Sequence, residues 1–312
     1  MVKTFERALL TKLRLFLTPR QEQYGFREGH STTFAAHKGT ALPRPKELRK
    51  IYGSSTLDME KAFDRVWHDG LIYKLMDTSL PPAHKKQEYH RAAASPELYA
   101  VYTDDIPTLH GNLEDWEDDV MLALYADDSA YFASSRRADL AAKRIQRVLD
   151  LLPEWLDKWR MAVNVSKTAA LLTGSQRNMP DQLRLRGQAV EWNTRVRYLG
   201  VHIDRSLRMV PQIDHVIQTS RAAHAKLRPI LASRLPIRKV AIYKCYIPSH
   251  ADLRCTGLYA LCSGLQRQRL QAQQNIALRL TGPGGTSKTT SSPETWESNH
   301  RGVRQNVDAT RL

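Results

Sequence analysis

Two adjacent carboxylates interrupt an apolar stretch of this sequence and are the first candidates for chemistry. Asp127 and Asp128 follow the apolar run 120–126 and precede a second apolar run, 129–133. Such short apolar runs are typical of buried strands, so the two acids are expected to form a hairpin turn. Turns of this kind favour Asn-Gly or Asp-Gly, and two anions about 4 Å apart repel by roughly 4 kcal/mol at an effective dielectric near 20. A divalent cation would relieve that repulsion, with carboxylate oxygens as the ligands that Mg²⁺ prefers; the alternative is a solvated loop.

A third carboxylate, Asp58, opens the next informative stretch, residues 57–70. There a short extended segment is expected to turn into a helix that carries Ala62, Phe63, Val66 and Trp67 inward. The alternative is that Asp58 only caps this helix, because Asp is among the favoured N-cap residues. The acidic pair at 104–105 is followed by Ile-Pro, so we interpret it as a surface turn rather than a metal site.

The composition points to a polyanionic partner. The 312 residues include 47 Lys and Arg against 32 Asp and Glu, a net charge of +15. This surplus favours nucleic acid over a membrane, since no basic amphipathic stretch stands out and no apolar run reaches eighteen residues; the alternative is a merely basic soluble protein. The three cysteines form no CxxC pair, which predicts a reducing compartment. The basic residues through Arg20 do not have the pattern of a secretory signal.

Further elements are needed to position these acids. Apolar spacing predicts an amphipathic helix over 138–161, and residues 162–172 are expected to form a turn into a strand. Residues 196–203 predict another strand, broken by a glycine. From about 204 to 280 the pattern is helical and very basic. Residues 282–312 carry almost no apolar side chains and are expected to be disordered.

These stretches, in this order, resemble the reverse transcriptase of non-LTR retrotransposons, most closely the jockey-type elements of arthropods. The resemblance runs, with gaps, from about residue 5 to residue 280. The matching motifs are the first aspartate motif at 57–70, the YxDD hairpin (here YADD) at 125–128, the lysine motif at 164–168, the primer-grip hairpin at Tyr198-Leu199-Gly200, and the fingers motif Q-x-G-F-R-x-x-x-S-T at 23–33.

The resemblance implies an α+β fold, a right-hand polymerase palm with an antiparallel sheet and packed helices, partial fingers and a helical thumb. The implied divisions are partial fingers at 1–53, palm at 54–204, basic thumb at 205–281 and the disordered tail at 282–312. The implied activity is RNA-directed DNA synthesis with two Mg²⁺ ions. Its partners would be an RNA template, a DNA primer and deoxynucleoside triphosphates, without a membrane, in the cytoplasm and nucleus.

The resemblance also assigns roles to individual residues. Asp58 and Asp127 would bridge the metal ions, with Asp128 beside them. Lys167 matches the proposed proton donor to the pyrophosphate leaving group, although it could be one of many exposed lysines. Phe63 matches the aromatic gate that would clash with a ribonucleotide 2′-hydroxyl; it could also serve only as a core residue. Arg27 would meet the triphosphate, because guanidinium suits phosphate.

Some of the sequence departs from the family pattern. The motif Pro-Gln-Gly-Ser should precede Leu98, but residues 92–97 read Ala-Ala-Ala-Ser-Pro-Glu. The apolar strand expected before Asp58 is replaced by 51–56, which contains Gly, Ser and Thr. The chain also begins inside the fingers and lacks the family's endonuclease domain, so we expect a truncated, partly degenerate copy whose polymerase activity is in doubt. The alternative function is a catalytically impaired remnant that only binds nucleic acid; an RNA-copying polymerase is disfavoured by Phe63.

Overall fold

The computed structural model describes Leu17 and residues 20–25, 51–78, 96–109, 120–174, 178–231 and 262–281. Within these ranges the strands are β1 (Ile51–Asp58), β2 (Val120–Tyr125), β3 (Asp128–Ser135), β4 (Ala169–Leu172), β5 (Leu183–Leu185), β6 (Gln188–Val190), β7 (Trp192–Asn193), β8 (Arg195–Tyr198) and β9 (Val201–Asp204). The helices are α1 (His68–Met76), α2 (Pro96–Tyr102), α3 (Ala138–Lys158), α4 (Val210–Leu231) and α5 (Gly264–Thr281).

Five of the strands form one sheet in the order β2-β3-β1-β4-β7. Neighbouring strands are antiparallel except β4 and β7, which are parallel. Helices are packed on this sheet, so the fold is α+β, as predicted. No helix within the described ranges is both long enough and apolar enough to span a membrane.

The apolar runs around the acidic pair form buried strands, as predicted. Successive side chains of a strand point to opposite faces of the sheet. Leu122 and Tyr131 join the core cluster on one face, whereas Ala123 and Phe132 join the cluster on the other. Both faces of β2 and β3 are therefore covered, which explains why these strands are apolar almost without interruption.

One face of the sheet is covered by α3, which packs on β1 and β3. Its buried residues recur at helical spacing, as predicted: Ala141, Ala142, Ile145, Val148, Leu149, Leu152, Trp155 and Leu156. The helix lies close to the sheet because β1 is built from small residues. A β-carbon on Gly53 would lie 2.9 Å from Cδ1 of Ile145.

The stretch before Asp58 forms a strand despite its composition, which corrects the interpretation of 51–56 as a degenerate replacement. These residues belong to β1, between β3 and β4 in the sheet. Leu57 is 2% exposed and Ser55 is fully buried. Small and hydroxyl side chains are tolerated here because two neighbouring strands satisfy the backbone.

The other face of the sheet is covered by the hairpin β8–β9 and by α4. Asp204 links the two elements, because its carboxylate accepts a hydrogen bond from the Met209 N–H at 2.8 Å, next to the start of α4. The described part of the predicted helical region is helical from Val210 to Leu231 and from Gly264 onward, with α5 packed on α4, whereas residues 204–209 are not helical. The hairpin β5–β6, which packs on α3, and the short strand β7 were not predicted.

The prediction of a helix directly after Asp58 was wrong. Asp58 is the last residue of β1 rather than a helix cap, residues 60–65 form turns, and α1 begins at His68. The reason is backbone pairing: the Glu60 N–H donates to the Ala162 carbonyl at 2.9 Å, and Lys61 has a φ of 46°. Ala62 is nevertheless buried, as expected, so the inward pattern was correct and its secondary structure was not.

Some expectations concern parts of the chain outside the described residues. These are Arg27, most of the fingers motif, the departure at 92–95 and the tail at 282–312. The domain boundaries remain predictions.

Candidate active site

The hairpin β2–β3 presents Asp127 at its tip. Tyr125 and Asp128 are cross-strand partners, so the two turn residues are Ala126 and Asp127. This corrects the predicted Asp127-Asp128 turn by one residue. Ala126 takes the positive φ of the turn, 59°, and Asp128 is the first residue of β3. The two carboxylates are thus held differently, one at the tip and one on the strand.

The third acid, Asp58, is brought to the hairpin by the register of the sheet. Asp58 is the cross-strand partner of Asp128 at the end of the β1–β3 ladder. Directly opposed residues of antiparallel strands have α-carbons about 4.5–5.5 Å apart. The structure therefore gathers all three predicted aspartates at one end of the sheet. Asp127 and Asp128 are exposed, and the Asp58 side chain is 42% exposed.

Lys167 also reaches this end of the sheet. Its Nζ lies 3.5 Å from Oδ2 of Asp58. The Asn164 N–H donates to the Asp58 carbonyl at 2.9 Å, which ties the lysine segment to the end of β1. The Asn164 side chain then shapes the turn, accepting hydrogen bonds from Ser166 Oγ at 2.6 Å and from the Lys167 N–H at 3.2 Å. Asn164 was quoted as part of the motif, but its role in presenting Lys167 was not predicted.

The negative charges of Asp127 and Asp58 act on the neighbouring Asp128 carboxyl group. Although Asp128 is exposed as a residue, desolvation of its carboxyl group by the surrounding protein raises its pKa, and the charges of Asp127 and Asp58 raise it further. Folding therefore places the Asp128 carboxyl group where two nearby acids oppose its ionisation. A cation at this end of the sheet would relieve the repulsion.

The predicted gate residue, Phe63, packs against Tyr99 of α2. The ring centroids are 4.9 Å apart and the rings are tilted by 47°. Tyr99 is 1% exposed, and burial raises the pKa of its hydroxyl, with the Asp127 charge as a second cause. Tyr99 therefore packs on the gate candidate and is close enough to Asp127 to be affected by its charge. Sequence reasoning missed it, because the apolar spacing of 98–102 indicates burial but not the partner.

The predicted primer-grip residues form the turn of the β8–β9 hairpin. Tyr198 ends β8, and Leu199 and Gly200 both have positive φ, 48° and 75°. Tyr198 is buried, and its ring lies edge-on to Phe132 of β3 with centroids 5.9 Å apart. Burial raises the pKa of the Tyr198 hydroxyl, and the Asp128 charge adds to it. This turn therefore lies near the acidic hairpin, on the face opposite α3.

The part of the fingers motif that is described lies alongside β2. The Tyr24 N–H donates to the Leu124 carbonyl at 2.8 Å, and the Leu124 N–H donates to the Glu22 carbonyl at 2.9 Å. Gly25 follows and lies against the hairpin turn. The resemblance assigned this segment to the fingers motif, and nothing in the sequence pattern indicated contact with the acidic hairpin.

The residues present fit a divalent cation by donor type and backbone placement. Within the described ranges, no three acidic, histidine or cysteine side chains converge on a point that could hold an ion. The three aspartate side chains are, however, solvent-accessible, so they can rotate toward one another without unpacking the core. Carboxylate oxygens are the ligands of hard divalent cations.

The profile of the family described as reverse transcriptase (RNA-dependent DNA polymerase) matches residues 1–203. The RNA-directed DNA polymerase from mobile element jockey of Drosophila melanogaster is 28% identical over 252 residues, covering 71% of this chain and 28% of that protein. The corresponding protein of Drosophila funebris is 30% identical over 256 residues, covering 72% and 28%.

The probable RNA-directed DNA polymerase from transposon BS of Drosophila melanogaster is 27% identical over 314 residues, covering 89% of this chain and 34% of that protein. The chain thus spans between 28% and 34% of the length of these curated relatives. Among solved structures, apo telomerase from Candida tropicalis, truncated from its C-terminal domain, gives a TM-score of 0.40 at 14% identity, covering 65% of this chain and 43% of that one. Telomerase from Candida albicans, in complex with a TWJ fragment of telomeric RNA, gives 0.41 at 12% identity, covering 89% and 54%.

Proposed function

Because this chain belongs to the reverse transcriptase (RNA-dependent DNA polymerase) family, we propose that it extends a DNA primer on an RNA template, as the polymerase of a jockey-type non-LTR retrotransposon. The observation that carries the proposal is the cross-strand pairing of Asp58 with Asp128, beside Asp127 at the hairpin tip. Members of the family generally use a divalent metal. We propose two Mg²⁺ ions here.

The three aspartates would hold the metal. Two bound Mg²⁺ ions would neutralise charge on the attacking and leaving oxygens during nucleotidyl transfer. Asp58 and Asp127 would supply the main carboxylates that hold the metal, and Asp128 would supply a further one. Lys167, whose Nζ lies 3.5 Å from Asp58, is the candidate donor of a proton to the pyrophosphate oxygen that leaves. Such positioning and charge neutralisation account for most of the catalysis in phosphoryl transfer.

The neighbouring residues would select and align the substrates. Phe63 would exclude the 2′-hydroxyl of a ribonucleotide, with its ring backed by Tyr99. The turn at Tyr198-Leu199-Gly200 would support the primer end, and Arg27 would contact the triphosphate of the incoming deoxynucleotide. The exposed basic residues of α4 would bind the template–primer duplex through its phosphates. A protein with these substrates would act in the cytoplasm and nucleus.

A second candidate function is binding of nucleic acid without polymerisation. It is favoured by residues 92–97, where the family's Gln-Gly pair is absent. Glycine permits close approach of a nucleotide to the backbone, which bulkier residues obstruct. Under this alternative the chain binds a template–primer duplex and extends no primer.

Primer extension tests the proposal directly. The chain would be incubated with an oligo(dT) primer on poly(rA), thymidine triphosphate and Mg²⁺, alongside Asp127→Asn and the control Asp150→Asn, which changes an exposed acid on α3. We expect extension by the parent chain and by Asp150→Asn, and loss of extension by Asp127→Asn. Extension that survives Asp127→Asn would contradict the assigned site. Duplex binding without any extension would favour the second candidate.

A further inference from the structure

The segment 22–25 continues the sheet beyond β2, at the end that carries the catalytic hairpin. Gln23 forms a bridge with Leu124, and two backbone hydrogen bonds of 2.8 and 2.9 Å flank it. Leu124 lies only three residues before Asp127. A segment far away in the sequence thus borders the turn that carries the acid.

Gly25 makes the closest approach to that turn. A β-carbon at this position would lie 2.6 Å from the Ala126 nitrogen, and 3.1 and 3.2 Å from C and Cα of Tyr125. All three are backbone atoms, so no side-chain rotation could relieve the clash. Any residue other than glycine would push the segment and the turn apart.

The turn itself needs support from outside. Ala126 has a φ of 59°, in the left-handed region that is unfavourable for an L-residue with a β-carbon. Strain of this kind persists only where the surroundings determine the conformation. Ala126 is 8% exposed and is covered by Gly25. Gly25 is in turn fixed by Gln23, a 1%-exposed residue whose Oε1 accepts the Gly25 N–H at 3.1 Å.

We propose that Gly25 is a positioning residue for Asp127. Its lack of a side chain lets the segment 22–25 lie directly on the Ala126 peptide and hold the turn that carries the carboxylate. The part of the inference that concerns metal rests on the proposed function, whereas the part that concerns the turn does not. The fingers segment then supports the acidic hairpin mechanically, in addition to any contact with substrate.

The test compares Gly25→Ala with two other glycine substitutions. Gly53→Ala would meet Cδ1 of Ile145 at 2.9 Å and strain the core away from the hairpin. Gly264→Ala, at the start of α5, meets nothing within 4 Å. A milder variant, Gln23→Met, removes the acceptor for the Gly25 N–H and tests the same segment if Gly25→Ala folds poorly. Each chain is measured for hydrogen exchange of the Leu124 amide and for Mn²⁺ affinity by electron paramagnetic resonance.

We expect Gly25→Ala to speed exchange at Leu124 and to weaken Mn²⁺ binding about tenfold, as loss of a supporting contact does at other metal sites. Gln23→Met should also speed exchange at Leu124 and weaken Mn²⁺ binding, but by smaller amounts than Gly25→Ala. Gly53→Ala should lower the melting temperature but leave the Mn²⁺ affinity unchanged, and Gly264→Ala should change neither.

The inference would be overturned if Gly25→Ala and Gln23→Met both kept the hydrogen-exchange rate at Leu124 and the Mn²⁺ affinity of the parent chain. So would an equal loss of Mn²⁺ affinity in Gly53→Ala, since the effect would then be general destabilisation. If the parent chain itself bound no Mn²⁺, the proposed function would be overturned. Exchange at Leu124 would still decide for or against Gly25 as the support of the turn.

Discussion

The fold places the Asp128 carboxylate in an electrostatically unfavourable environment. Its pKa is raised by desolvation and by two neighbouring acids, so its carboxyl group is protonated more easily in the folded chain than in the unfolded one. The ionised form of Asp128 therefore opposes folding. A residue kept at such a cost is a functional candidate, because catalytic sites are where like charges are brought together.

We expect Asp128→Asn to raise the melting temperature at pH 7 in EDTA, because the amide removes one of three mutually repelling charges. Millimolar Mg²⁺ should reduce the difference in melting temperature between the two proteins, because it should stabilise the parent chain more than the variant. Thermal unfolding with EDTA and with Mg²⁺ measures both effects, with Asp150→Asn as the control for losing an exposed acid. A lower melting temperature for Asp128→Asn in EDTA would contradict the repulsion argument.

The acidic pair at 104–105 has a structural role, in agreement with its interpretation as a turn. Asp105 forms an ion pair with Lys74 of α1, whose Nζ also donates to the Tyr102 carbonyl. That Nζ lies 3.7 Å from the centroid of the Trp159 ring. The Lys74 side chain is 9% exposed, and this burial lowers its pKa to about 8, against the opposing effect of Asp105.

The lowered pKa of Lys74 predicts a dependence of stability on pH. An unfolded lysine keeps its proton up to about pH 10.4, whereas the folded one loses it near 8. Between these values the unfolded state binds more protons, so stability rises with pH. Relative to Lys74→Met, the free energy of unfolding of the parent should increase by up to about 3 kcal/mol across this window. Urea unfolding of both proteins at pH 7 and pH 10 measures it; a constant difference would contradict the shift.

Among the elements, those with a strong local pattern were predictable from the sequence. The helix α3 shows 3.6-residue spacing, and β2 and β3 are apolar runs bounded by a turn. The strand β1 was misjudged because Gly, Ser and Thr are poor indicators of a buried strand. Its place was decided by two neighbouring strands and by the close approach of α3 to Gly53, which no local pattern records.

The site was predictable to a similar extent. The identities of the three aspartates and Lys167 followed from motifs, and the sheet register brings them together. The exact turn was off by one residue because Ala126, rather than an acid, adopts positive φ. Tyr99 and Gly25 were missed because their importance lies in contacts with segments distant in the sequence.

The helix α2 allows a test of the gate through Tyr99. We expect Tyr99→Leu to raise ribonucleotide incorporation relative to deoxynucleotide incorporation by up to about tenfold, because an aromatic pair is worth about 0.5–1.5 kcal/mol beyond its buried area. Tyr99→Phe keeps the ring and should leave the ratio unchanged. Primer extension with each nucleotide type gives the ratio. Equal ratios for the two variants would show that Tyr99 does not support Phe63.

At the scale of the whole molecule, the aspartates of the candidate site and the basic residues proposed to bind nucleic acid lie on different elements. The aspartates at the end of the sheet would repel a nucleic acid, whereas the net charge of +15 attracts one. Exposed basic residues on α4 include Arg221, Lys226 and Arg228. This helix covers the face of the sheet opposite α3, so the exposed basic residues of α4 can be changed independently of those at or near α3.

The exposed basic residues of α4 should make duplex binding depend on salt concentration. If α4 contacts phosphates, the affinity for a template–primer duplex should fall linearly on a log–log plot against salt concentration. Replacing Arg221, Lys226 and Arg228 by Gln should then reduce the slope by up to about 2.7, or 0.9 for each lost phosphate contact.

A matched triple replacement of Arg136, Lys143 and Arg147, exposed cations at or near α3, should leave the slope unchanged. Asp127→Asn should also bind with the parental slope, since the role proposed for this acid is to hold metal rather than to contact the phosphate backbone. Fluorescence anisotropy at several salt concentrations measures all four proteins, and equal slopes for both triple variants would show that binding depends on overall charge rather than on α4.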